Sequence, residues 1–133
     1  VDLLVNIDVP DLEAAEGFYV AAFGLRPSRR FGRVVELSGL PVKIYLLEAE
    51  PHTVGAGYDR RRYERHWSPI HLDVVVEDLE SALARALTAG AEAETEIRDS
   101  VWGRIVTLAD PFGHGFCLVE FKGRGYDEIA RPA

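Results

Sequence analysis

The chain has 133 residues, with 15 basic against 22 acidic side chains and a formal charge of −7. That length suits one domain, and with 47% apolar and 28% charged residues it can bury a real core and lacks the composition of a disordered segment. The acidic balance argues against a general grip on phosphate backbones, which needs many Lys and Arg contacts. No apolar run approaches the ~20 residues of a membrane span, and a single cysteine, Cys117, excludes an internal disulfide or a zinc site of several thiolates. The first residues alternate like a strand and not like a greasy leader, so a cytoplasmic location is expected, with neither nucleic acid nor membrane as partner.

Taken in order, residues 3–9 read as a strand rich in Val, Ile and Leu. Asp11 follows as a helix cap, placed to accept free amide hydrogens of a first turn. Leu12, Ala15, Tyr19, Ala22 and Phe23 then form an apolar helical stripe that Gly24 stops. Three β-like runs come next, 28–31, 33–37 and 42–48, the last two separated by Ser38-Gly-Leu-Pro41. Residues 50–69 read as a long irregular linker. It carries Arg60, Arg61, Arg62 and Arg65 among aromatic residues, either a clamp for an anionic ligand or partner or a solvated surface.

The second half repeats the first. Val5-Asn-Ile-Asp-Val-Pro-Asp-Leu-Glu13 returns as Leu72-Asp-Val-Val-Val-Glu-Asp-Leu-Glu80. A strand over 70–76 leads to a cap at Asp78, and Leu79, Ala82, Leu83, Ala86 and Leu87 make a helical stripe closed by Gly90. Runs at 93–98, 102–108 and 114–121 follow, with Asp110-Pro-Phe-Gly113 turning into the last. Residues 123–133 form a tail that either docks or frays. Each half therefore reads βαβββ, one helix covering one face of a small sheet. The expected organisation is one domain over 1–133: module one over 1–49, a linker, module two over 70–122, and the tail.

A tandem βαβββ chain with a V-x-D-L-x-x-A strand-to-helix entry in both halves and Asp110-Pro-Phe-Gly-His114 before the last strand resembles the vicinal oxygen chelate superfamily. That superfamily includes glyoxalase I, bleomycin-resistance proteins, extradiol dioxygenases and methylmalonyl-CoA epimerase. The resemblance implies an α+β fold whose two modules pair into a curled mixed sheet, an open cup with helices outside, and a homodimer by family habit. It also implies four metal-ligand positions on the first and last strands of the modules, which fall here on Leu4, Tyr45, His71 and Cys117. Leu4 has no lone pair to donate, and a neutral phenol is a poor ligand for a hard cation. No metal cofactor of the family type is expected. His71 and Cys117 hold a soft metal only if Asp73, Asp8 or Glu48 joins them.

Strand alternation puts Leu4, Asn6, Asp8, Lys43, Tyr45, Leu47, His71, Asp73, Val75, Gly115, Cys117 and Val119 on the cup side, and Ile44, Leu46, Leu72, Val74, Val76, Phe116 and Leu118 on the helix side. The candidate ligand-binding residues are Asn6, Asp8, Tyr45, His71, Asp73, Cys117 and Trp102, the last as a pocket rim or core packing. His71, oriented by Asp73 or Asp8, is the candidate acid-base residue, Cys117 a small packed thiol, and His114 a residue that caps or packs at the strand start. Three functions compete. The first is metal-free capture of a small organic molecule, cationic or aromatic, as in antibiotic sequestration, with Asp8, Asp73 and the net charge favouring a cationic or amine-bearing one. The second is a lyase, isomerase or dioxygenase that uses His71 as acid-base residue or ligand. The third is an interaction subunit using the Arg60 to Arg65 surface.

Overall fold

In the computed structural model, which describes residues 1–133, β1 (Leu4–Val9) runs into α1 (Leu12–Phe23), then β2 (Arg26–Phe31), β3 (Val34–Ser38) and β4 (Lys43–Glu48). The strands order as β1-β4-β3-β2, with β1 parallel to β4 and the other pairs antiparallel. Asp11 caps α1 as its composition requires, its Oδ1 accepting from the Ala14 amide at 3.0 Å. Gly24 ends the helix at φ 67°, a left-handed conformation open to glycine. Ala15, Phe18, Tyr19 and Ala22 are buried, and the helix packs against β2, β3 and β4. Ile7, Val9, Val35, Leu37, Ile44 and Leu46 are the buried aliphatic strand residues, which the period of two assigns to one sheet face. The stretch expected to be irregular instead holds a hairpin, β5 (Val54–Ala56) with β6 (Asp59–Arg60). Gly57, at φ 57°, supplies its reversal. These elements belong to a first compact unit, Val1–Glu64.

The second unit, Arg65–Ala133, comprises β7 (Leu72–Val75), α2 (Leu79–Ala89), β8 (Glu92–Ala93), β9 (Arg98–Ser100), β10 (Gly103–Ala109) and β11 (Gly115–Phe121). Its sheet orders β7-β11-β10-β8, β9 also pairs with β10, and only β7 with β11 is parallel. Asp78 caps α2 through the Ser81 amide, and Gly90 closes it at φ 117°. The helix buries Leu79, Ala82 and Ala86 and packs on β11, whereas Leu87 of the expected stripe stays exposed. The single run expected over 93–98 is split in two. The Thr95 hydroxyl accepts the Thr107 amide at 3.0 Å, taking a bond that a backbone carbonyl makes in a regular ladder. The tail docks: residues 125–128 form one 3-10 turn, and Tyr126 packs 5.0 Å from Trp102 and 4.8 Å from Phe121.

The repeat extends to a detail that pattern reading misses. In unit one, Glu48 at the end of β4 accepts the Leu12 amide at 2.8 Å and is held by Arg33. In unit two, Glu120 in β11 accepts the Leu79 amide at 2.8 Å and is held by Arg104. Each last strand thus stabilises the positive end of its own helix with a carboxylate. Both carboxylate oxygens of Glu48 are engaged in this way. No helix is long and apolar enough to cross a membrane.

Candidate functional site

The face of each sheet opposite its helix collects the polar candidates, and register decides which of them meet. In unit one, Asn6 pairs with Tyr45, Tyr45 with Glu36, and Glu36 with Arg29, so one row crosses all four strands. The Tyr45 hydroxyl donates to Glu36 at 2.5 Å and Ser28 donates at 2.6 Å, while the Arg29 guanidinium forks onto Glu36 and reaches the Tyr45 oxygen at 3.1 Å. Glu36 is only 3% exposed. Arg29 first, then the Ser28 and Tyr45 hydroxyls, hold its carboxyl at about 2. The same carboxylate, with burial, raises the Tyr45 phenol above its ordinary value. Phe31 is 52% exposed, its ring 6.0 Å from that of Tyr45.

The sequence by itself points to Asn6 and Tyr45 but not to Arg29, Ser28 and Glu36. The one signal it carries is Glu36 itself, an acid between apolar neighbours in Val34-Val-Glu-Leu37, on the face opposite the core. Asp8 does not stand free: Arg61 of the hairpin segment donates to it at 2.6 Å and to the Val54 carbonyl. Arg60 donates to the His52 carbonyl. Much of the basic cluster is therefore committed within the chain.

In unit two the corresponding row runs Asp73, Cys117, Thr107, by register of β7, β11 and β10. His71 Nε2 lies 3.3 Å from Asp73 Oδ1, and Thr107 Oγ1 lies 3.5 Å from Cys117 Sγ while accepting from Arg98 at 3.2 Å. Cys117 is 7% exposed, and burial pushes its thiol up, keeping it protonated. It is a poor nucleophile there. His114 is engaged at the turn, its Nδ1 2.8 Å from Asp110 Oδ2, with Asp110 Oδ1 accepting the Phe112 and His114 amides. Trp102 sits with Phe121 and Tyr126 in the tail-docking cluster, not in this row.

Arg65 enters the same face of unit two. Its guanidinium forks onto Glu94 at 2.8 and 2.9 Å and lies so close over Gly115 that a Cβ there would stand 2.3 Å from Nη2. Gly115 is the seat that this arginine needs. Because the obstructing atoms are the far end of a flexible side chain, Gly115→Ala is expected to change stability by under about 1 kcal/mol while displacing Arg65. Urea denaturation checks the first half, and loss of any additional destabilisation by Glu94→Gln in the Gly115→Ala background checks the second.

The four family-type ligand positions do not fit a metal. Leu4 is aliphatic, and Tyr45 gives its proton to a hydrogen bond with Glu36 and is held protonated. His71 and Cys117 are left. Asp73 comes close to both, its carboxylate, the imidazole and the thiol sulfur all lying within 4.8 Å of one another, a meeting that residue order alone does not predict.

Against known proteins, residues 4–119 match a glyoxalase-like domain. The chain is 40% identical over 123 residues to an uncharacterized protein of Mycobacterium bovis, covering 85% of this chain and 78% of that one. It is 30% identical over 125 residues to the anthracycline biosynthesis protein DauV of Streptomyces sp. (strain C5), covering 89% of this chain and 40% of DauV, so the similarity spans less than half of that protein. In solved structures, a glyoxalase/bleomycin resistance/dioxygenase family enzyme from Burkholderia phytofirmans superposes with a TM-score of 0.72 at 19% identity, over 92% of this chain and 100% of that one. At that identity the likeness shows the fold.

Proposed function

Since this chain belongs to the glyoxalase-like domain family of the vicinal oxygen chelate superfamily, we propose that it binds a small aromatic organic molecule on the polar sheet face of unit one, without the family's four-ligand metal. The observation that carries this reading is the row Asn6, Tyr45, Glu36, Arg29 beside the exposed ring of Phe31. Exposed ring surface beside a few fixed polar groups suits an organic ligand. Phe31 offers exposed ring surface for stacking, Arg29 a guanidinium face and unused N–H donors, and Asn6 an amide. The buried carboxylate of Glu36 locks Tyr45 and Arg29 in place, so the ligand meets groups already ordered and less side-chain entropy is lost on binding.

Asp8 and Glu36 are each neutralised by an arginine, so attraction for a cation rests on the overall charge, and ring surface is the stronger determinant. The similarity to an anthracycline biosynthesis protein supports a polycyclic aromatic as the first probe. Daunorubicin, a cationic polycyclic, and its uncharged aglycone are both expected to raise the melting temperature. At 100 times its Kd a ligand adds about 2.7 kcal/mol. Phe31→Ala and Arg29→Ala are expected to weaken binding by about fivefold, one stacked contact being worth about 1 kcal/mol. Calorimetry with no heat for either compound, or equal affinity in Phe31→Ala, would remove the reading.

One observation favours a second reading. The 3.3 Å approach of His71 to Asp73 orients an imidazole as proton acceptor. A lyase or isomerase of this superfamily would use it on a substrate bound to unit two. Loss of turnover in His71→Ala with ligand affinity intact is the result this branch predicts.

A further inference from the structure

We propose that Arg98 anchors the carboxylate of a small organic acid on the polar face of unit two; resting on the second reading above, this names the substrate class on which His71 acts. Arg98 opens β9 opposite Ile105 of β10, and its Nη2 donates to the Thr107 hydroxyl at 3.2 Å. Thr107 pairs with Cys117, and Cys117 with Asp73, so the guanidinium ends a row whose other end is a carboxylate. Two steps between neighbouring strands separate Thr107 from Asp73, roughly 10 Å. Both charges reach the thiol between them, which burial raises first and Asp73 further, with Arg98 acting in the opposite sense.

Its lack of a counter-charge sets this arginine apart. Arg29, Arg61 and Arg65 each reach a polar sheet face, and each is neutralised there by a carboxylate, that of Glu36, Asp8 and Glu94 respectively. Arg98 is exposed, and its guanidinium meets only a neutral hydroxyl. A planar fork with unused N–H donors matches a carboxylate through two parallel hydrogen bonds. Between the two charges stand the short side chains of Cys117 and Thr107, Sγ lying 3.5 Å from Oγ1. Arg65, seated over Gly115 and forked onto Glu94, borders the same face.

Charge selects the kind of acid. A phosphate monoester carries close to two negative charges at neutral pH, and one guanidinium leaves the second uncompensated on a face that also holds Asp73. A monocarboxylate carries one. His71, 3.3 Å from Asp73, stands at the end of the row remote from the anchor. The skeleton of the bound acid, and not its charged group, therefore reaches the imidazole. Repulsion from Asp73 opposes the reversed orientation.

Titration of the full chain with phenylacetate, followed by proton–nitrogen NMR at neutral pH, tests it. Saturable shifts are expected at the amides of Arg98, Thr107 and Cys117, with weaker binding of phenyl phosphate and weaker still of the uncharged phenylacetamide. Arg98→Gln, at an exposed position, is expected to weaken phenylacetate by about tenfold or more, as loss of a charge-assisted hydrogen bond does. Arg98→Lys, which keeps the charge and loses the fork, falls between. Absent shifts, phenylacetamide or phenyl phosphate bound as tightly as phenylacetate, or unchanged affinity in Arg98→Gln overturns the anchor. Shifts confined to unit one assign the acid to Arg29 and overturn it as well. Because binding is read without turnover, bound acids that never react defeat the second reading alone, and turnover of an uncharged substrate without phenylacetate binding defeats the anchor alone.

Discussion

Gly103→Ala is expected to destabilise the chain by about 4 kcal/mol or more, among the largest effects of a single methyl group. Gly103 opens β10 at φ 155°, where an L side chain is strained, and pairs with Phe121 of β11. A Cβ there would stand 2.2 Å from the Glu120 carbonyl oxygen and 3.0 Å from the Phe121 Cα. Both obstacles are backbone, so relief requires pulling apart the pair that carries Cys117 and the carboxylate holding the α2 amide. At about 4 °C per kcal/mol for a chain of this size, the melting temperature should fall by roughly 15 °C. Gly17→Ala is the control of opposite sign. Gly17 lies inside α1, where an added methyl group would meet nothing within 4 Å and the backbone has no positive φ, so alanine there should stabilise by about 0.5–1 kcal/mol. Thermal unfolding of the two variants that gave shifts of the same sign would show that the β10–β11 approach is looser than described.

Removal of Arg29 is expected to be the most damaging loss of an ion pair in unit one, because it strands a buried carboxylate. Arg29 is the leading cause that holds Glu36 at about 2 against an ordinary 4.5. A folded-state value below the unfolded one means the stabilisation is present above pH about 4.5 and disappears as pH falls through about 2. Arg29→Ala weakens the depression. Its deficit relative to the parent should therefore be largest at neutral pH and shrink steadily between pH about 4.5 and about 2. Urea midpoints at neutral pH and at steps down through that window measure this, and a deficit independent of pH would mean that Arg29 acts by packing and not by charge. Arg30→Ala, which removes a partner of the more exposed Glu16, serves as the surface comparison, where losses are small.

Much of the framework is legible in local pattern. Asp11 and Asp78 cap helices because a carboxylate at that position meets free amides, and Gly24 and Gly90 end them because only glycine adopts left-handed backbone at no cost. The parity of the strands correctly separates Asn6 and Asp8 from Ile7 and Val9, since side chains alternate with a period of two whatever the neighbours are. The hairpin inside 50–69 and the break near Thr95 escape the same method because both depend on one side chain or one turn residue competing with a ladder.

The candidate site divides along a different line. That Asn6, Tyr45, His71, Asp73 and Cys117 leave their strands on the polar face follows from residue order alone, as does the failure of Leu4 and Tyr45 as metal ligands, which is a matter of atom type. Pairing does not follow. Which residue of β3 stands opposite Tyr45, whether Asp73 sits beside Cys117, and which linker arginine claims Asp8 are set by inter-strand register and by chain segments up to 53 residues apart coming together. A one-residue change in register would exchange every partner while leaving each strand's own pattern intact. The chemistry of both rows was therefore decided only by the tertiary structure.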